Sequence, residues 1–200
     1  MDPNITGETQ APKVEQVPKQ QSYFFVVWDF LKIILIAAVI VLPVRYFIFQ
    51  PFIVKGDSMV PNFHSGDYLI IDEISYRFSE PQRGDVVVLK YPKDTTQRFI
   101  KRIVGLPGET IQIKDGVITI TKGTESITLN ERAYLPDATI TQGDKNITLS
   151  EGKYYVLGDN RQFSYDSRGW GELPKENIIG KVFFRVFPVS TMGLMALPNY

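Results

Sequence analysis

The rhythm of apolar and polar positions changes along the chain. Residues 1–22 are polar, contain Pro3, Pro12 and Pro18, and show no apolar period. That predicts a disordered tail. From Tyr23 to Phe49 the chain is almost continuously apolar, interrupted by Asp29, Lys32 and Arg45. Its uncharged centre, Ile33–Val44, is only 12 residues long, which alone suits a buried helix or the core of a leader. The flanks Tyr23–Leu31 and Tyr46–Phe49 extend it to spanning length. Lys32 and Arg45 can reach towards headgroups, and Tyr23, Trp28 and Tyr46 can sit in the interfaces. The pattern predicts a transmembrane anchor over 23–49, bent near Pro43. A cleaved signal peptide competes, but Arg45 to Phe52 is bulky or charged and offers no small-x-small site.

After residue 50 the pattern breaks into short apolar runs between turn signals. Phe52-Ile53-Val54, Tyr68-Leu69-Ile70-Ile71, Val86-Val87-Val88-Leu89 and Phe99 to Val104 read as strands. So do Tyr154-Tyr155-Val156-Leu157 and Val182 to Val186. Ile111–Ile113 and Val117–Ile120 flank Lys114-Asp115-Gly116, which predicts a hairpin. No 3.6-residue period appears. The expected fold class is mostly β, with folded-over sheets or an open barrel preceded by one N-terminal transmembrane helix. The main β body takes 50–113 and 151–200. The polar, Thr-rich stretch 114–150 is expected to be an inserted β appendage distant from any active site. Phe187, Met192, Leu194, Met195 and Leu197 have two readings, core packing and burial at a lipid interface.

Composition removes several kinds of chemistry. The chain is 44% hydrophobic and 22% charged with zero net charge, so nothing suggests a nucleic-acid surface. With no cysteine there is no thiol nucleophile, disulfide or Cys-ligated metal. The single histidine excludes a His-rich metal site. A Ser-His-Asp triad would have to use His64, six residues after Ser58, although a triad base normally arrives from elsewhere in the fold.

Gly56-Asp57-Ser58-Met59-Val60-Pro61 places Ser58 on a bend after the first strand. Locally, Ser58 is either a turn serine or a nucleophile. A nucleophile without histidine can use a lysine that burial keeps neutral. Alternation puts Lys101 on one face with Phe99 and Ile103, and Arg102 on the other with Ile100 and Val104. A surface lysine on an edge strand is the other reading. Gly158 to Gly171 concentrates glycines, carboxylates, arginines and serines in a loop. There Asp166 and Arg168 can pair, and Ser164 can orient an amine.

Taken together, Gly56–Pro61, Arg83-Gly84-Asp85-Val86-Val87, Lys101 to Glu109 and Gly158–Gly171 resemble bacterial-type signal peptidase I. The resemblance runs in order over roughly 23–190. It implies a membrane-anchored serine–lysine protease with Ser58 as nucleophile, Lys101 as general base and Ser164 positioning the lysine. Asp166 and Arg168 would be the structural pair. It further implies preproteins and the lipid bilayer as partners, no cofactor, no metal, no nucleic acid, a cytoplasmic tail and an extracytoplasmic catalytic body. Val54, Met59, Phe63, Phe99 and Ile100 would form shallow substrate pockets.

The sequence departs from the family pattern where Thr-Leu usually follows the motif's proline, because Asn62 and Phe63 stand there. Some members carry an oxyanion-binding serine where this chain has Gly56, which leaves the Ser58 N–H as main donor. An inactive scaffold subunit is the alternative that these departures motivate. A self-cleaving repressor with a serine–lysine dyad is disfavoured by the apolar segment in place of a DNA-binding domain.

Overall fold

The computed structural model describes residues 23–47, 49–195 and 197–198, and the expected disordered tail lies outside them. The chain divides into two units, 1–41 and 42–200. In the first, helix α1 belongs to the segment Tyr23–Phe47. Its described large apolar side chains from Tyr23 to Val41 are exposed, from 48% to 91%. Asp29 and Lys32 pair at 3.3 Å on its surface. Among the described residues, no helix is long and apolar enough to cross a membrane.

The second unit is β-rich. Strands β1 (Phe49–Ile53), β2 (Tyr68–Asp72), β3 (Val86–Tyr91) and β4 (Asp94–Gly105) come first, with the single helical turn α2 (Ser75–Phe78) after β2. Then follow β5 (Thr110–Lys114), β6 (Val117–Lys122), β7 (Glu125–Thr128), β8 (Lys145–Thr148) and β9 (Lys153–Leu157). The turn α3 (Ser167–Trp170) precedes β10 (Leu173–Pro174), β11 (Ile178–Phe187) and β12 (Gly193–Leu194). The larger sheet has the order β1-β2-β11-β3-β4-β9-β10, with β12 added to β11. The smaller runs β7-β6-β5-β8. Every pairing is antiparallel.

The run Val86-Val87-Val88-Leu89 is apolar at every position because the sheet is covered on both faces. Val86 and Val88 pack with Val54, Met59, Phe63, Leu69, Ile71, Ile100 and Val182. Val87 and Leu89 pack on the other side with Ile103, Tyr154, Val156, Trp170 and Leu173. A third cluster, around Ile111, Ile113, Ile118 and Ile120, joins the small sheet to Tyr155 and Leu157.

The small sheet occupies most of the expected insertion, but it begins earlier, at β5. One expectation about it needs correction. The segment between β7 and β8 is not distant from the loop after β9, where the site residues Asp159 to Arg168 lie. Glu131 binds the Arg161 guanidinium through two hydrogen bonds of 2.6 Å, and Asn62 Nδ2 donates to the Tyr134 carbonyl at 2.8 Å. Two buried cations, Arg161 and Arg102, explain the approach. Arg161 takes Glu131, and Arg102 lies 4.0 Å under the Tyr134 ring. The apolar residues near the C-terminus do not form core: Phe187, Met192, Leu194 and Leu197 are exposed.

Candidate active site

Chain reversal after β1 is made by Gly56, whose φ of +84° suits a residue without a side chain. Asp57 and Ser58 follow. Asn62 and Phe63 N–H groups both donate to the Met59 carbonyl, at 3.0 and 2.9 Å, which curls the motif into one tight turn. That turn leaves Ser58 partly exposed while Met59 and Phe63 go inward.

From β4, Lys101 comes to meet Ser58. Its Nζ lies 2.8 Å from Ser58 Oγ and donates to the Ile100 carbonyl at 2.9 Å. Phe99 and Ile103 pack with the second cluster and Ile100 with the first, as alternation requires. Lys101 is 3% exposed, and its Nζ sits 5.4 Å from the centre of the Phe99 ring. Burial pulls its pKa down from 10.5 to about 8, against a smaller upward pull from Asp166 and Asp159. His64 is exposed, and its ring makes no hydrogen bond among the described residues.

The loop after β9 covers the Ser58 turn. Asn160 clamps it: its N–H donates to the Ser58 carbonyl and its Nδ2 to the Asp57 carbonyl, both at 3.0 Å. Nothing in the sequence singled out Asn160 beyond its place among capping residues. The Ser58 N–H donates to no group among the described residues, whereas the Gly56 N–H faces Ser65 Oγ at 3.4 Å. Asp166 and Arg168 form a two-pronged pair, with both nitrogen–oxygen distances 2.8 Å. Asp166 also accepts from the Gly158 N–H at 3.0 Å. A second pair, Arg102–Asp159, is buried and two-pronged at 2.8 and 2.7 Å, and Asn62 Nδ2 donates to the same Asp159 carboxylate at 2.8 Å.

Ser164 differs from its expected geometry. Its Oγ is buried and has no hydrogen-bond partner among the described residues. The Ile100 carbonyl takes the second contact of Lys101. Ser164 is nevertheless close to the site. A Cβ built on Gly158 would fall 2.1 Å from Ser164 Oγ and 2.4 Å from the Ser58 carbonyl oxygen. Gly158 therefore lets three chain segments meet.

A cleft of about 330 Å³ opens beside the dyad. Phe99 and Ile100 line it as expected, joined by Phe52, Ile53, Lys55, Thr96 and Arg98. Val54, Met59 and Phe63 instead pack in the first core cluster, each at most 1% exposed. The inward turn of the motif explains the difference. Complete burial of such side chains is worth about 1.5–3 kcal/mol apiece. Phe63 there stacks 4.5 Å from the Arg185 guanidinium. Among the described residues no His, Asp and Glu cluster could hold a metal.

The family described as signal peptidase, peptidase S26, matches residues 27–187. The signal peptidase I of Leptolyngbya laminosa is 32% identical over 196 residues, which is 94% of either chain. Signal peptidase I T of Bacillus subtilis is 33% identical over 190 residues, 92% of this chain and 97% of that one. A crystal structure of a signal peptidase I from Enterococcus faecalis shares 30% identity at a TM-score of 0.43, covering 52% of this chain and 97% of the other. On the extent of these matches, and with the four motifs in order, the chain belongs to the peptidase S26 family of signal peptidases.

Proposed function

We propose that Ser58 and Lys101 are the catalytic dyad with which this signal-peptide-removing serine endopeptidase cuts preproteins after a small-x-small site. The observation that carries the assignment is the 2.8 Å contact between Ser58 Oγ and a lysine buried to 3% exposure. With a pKa of about 8, about a tenth of Lys101 is neutral at pH 7, two to three orders of magnitude more than for an ordinary lysine.

Neutral Lys101 accepts the Ser58 hydroxyl proton as Oγ bonds to the scissile carbonyl carbon. The Ser58 N–H is free to donate to the oxygen that gains charge, and the Asn160 clamp fixes its direction. The Lys101 ammonium gives its proton to the leaving amine, so the C–N bond breaks and an acyl-enzyme remains. Lys101 then takes a proton from water as its oxygen attacks the ester carbon, and returns that proton to Ser58 Oγ as the C–O bond breaks, which restores both residues. Ser164 serves as a positioning residue. An unpartnered buried hydroxyl costs about 1–3 kcal/mol, and the Lys101 amine is the partner we assign to it once Ser58 is acylated.

The extended substrate lies between β1 and the first half of β4, with Phe52, Ile53, Phe99 and Ile100 as walls. Membrane anchoring belongs to the same proposal. Helix α1 exposes large apolar side chains along its described length, with Asp29 and Lys32 paired to each other, and such a surface fits lipid better than water. Exposed Phe187, Val189, Met192 and Leu194 fit an interface in the same way. The catalytic unit is placed outside the cytoplasm, where exported preproteins emerge, and the tail inside.

Preprotein cleavage in detergent tests the dyad. Ser58→Ala, Lys101→Ala and Lys101→Arg should each abolish it, arginine because it keeps its proton at working pH. Cleavage at wild-type rates by any one of the three refutes the assignment.

A further inference from the structure

Six arginines of the β-rich unit each have a carboxylate partner: Arg83, Arg102, Arg132, Arg161, Arg168 and Arg185. Arg77 and Arg98 have no such partner among the described residues, and of the two it is Arg98 that lines the cleft beside Ser58 and Lys101. Its guanidinium meets only the Gln50 side-chain oxygen, at 3.4 Å, across from β4 to β1. Lys55, on the β1 side, is exposed and has neither a hydrogen bond nor an ion pair from its side chain among the described residues. Both cations line the substrate cleft, and no carboxylate does. Neither neighbouring acid pairs with these cations. The Asp94 carboxylate is taken up by Thr96 and Gln97, and Asp57 does not line the cleft.

The placement repeats on the two walls. Lys55 stands three residues before Ser58, and Arg98 three residues before Lys101. Along β4 that is about 10 Å from the dyad, at about 3.3 Å per strand residue. The walls between cations and dyad are the apolar Phe52, Ile53, Phe99 and Ile100. They fit the small residues that precede the cut, so the cations meet the substrate one step further back. Charges lining a cleft of low-dielectric walls focus their field into it.

We propose that Lys55 and Arg98 are specificity-determining residues that favour substrates carrying a carboxylate near the fourth residue before the scissile bond. This rests on the assignment of the cleft and dyad made above. It adds a charge preference to the size selection at the small residues.

Paired peptides test it, identical except for Glu or Gln at position −4, with a second pair varied at +2. The readout is the ratio of kcat/KM for Glu over Gln, which cancels any general loss of activity. Two partly screened ion pairs predict about a five-fold preference at −4 in low salt. The ratio should fall towards one above about 0.5 M salt, be near one in Lys55→Gln/Arg98→Gln, and drop below one in Arg98→Glu. No preference at +2 is expected. Equal cleavage of both −4 peptides by the wild type overturns the inference and leaves the dyad standing. So does a preference that persists in high salt, survives in the double variant or appears at +2. Failure to cut any of the peptides overturns the cleft assignment and this inference with it. The wild-type ratio and its salt dependence decide the matter even where a variant does not fold.

Discussion

Gly158 is where three demands meet: the nucleophile turn, the Ser164 hydroxyl and the end of β9 all press on one Cα. A methyl group there would lie 2.1–2.4 Å from Ser164 and the Ser58 carbonyl oxygen, a clash that cannot be relieved without moving Ser164 or the Ser58 backbone. Gly158→Ala should therefore lower kcat by about 100-fold, the usual cost of misplacing a reacting group by about 1 Å. KM should change little, because the cleft walls are untouched. Steady-state kinetics on a peptide substrate checks this, and an unchanged kcat would mean that the turn tolerates displacement. The bend at Ser58 and the strand face of Lys101 could be read from local rules, a glycine for one and alternation for the other, while the roles expected of them came from the resemblance of the four motifs. Asn160, Lys55 and Arg98 could not be read locally. Their roles depend on partners brought close by the fold, such as the contact between Asn160 and Asp57, 103 positions apart. That Met59 and Phe63 are core and not pocket residues is hidden from side-chain patterns, because the motif's inward curl comes from two backbone hydrogen bonds, and Val54 is drawn inward by its own N–H bond to the Asp67 carbonyl.

At the scale of elements, the segment between β7 and β8 acts as a brace for the catalytic loop. Arg161 is fully buried, with Glu131 as its charge partner and the Gly158 carbonyl accepting from its Nε at 3.0 Å. Glu131→Ala would leave that guanidinium buried without its counter-charge, a loss of about 3–5 kcal/mol. A large fall in Tm is the expected result, with Glu131→Gln falling less because it can still accept hydrogen bonds. A Tm shift under one degree for the alanine variant would show that the brace carries no load. The main strands were legible because β-branched and aromatic runs ended at Gly, Asp and Pro signals. β7, β8 and the first half of β4 were not, since Glu125–Thr128, Lys145–Thr148 and Asp94–Arg98 are polar stretches that pair at the sheet margins. Nor does any local pattern show that β11 inserts between β2 and β3, which follow each other along the chain.

For the whole molecule, buried charge is the organising device. Arg102–Asp159, Asp166–Arg168 and Arg161–Glu131 fasten the catalytic loop, while Lys101 is buried without a directly paired carboxylate. Neutralisation is what such a lysine does in place of pairing, and that is what the chemistry needs. The sign of the pH effect follows. Lys101 works deprotonated, so activity is lost as pH falls below its lowered pKa and is restored as pH rises through about 8. The most direct measurement is kcat/KM for one preprotein from pH 6 to pH 10. The account predicts a rise of about tenfold per pH unit on the acid side, levelling near pH 8. A flat profile across that limb, or a rise that continues to the pKa of an ordinary lysine, would contradict the assignment of a neutral, buried Lys101 as the base.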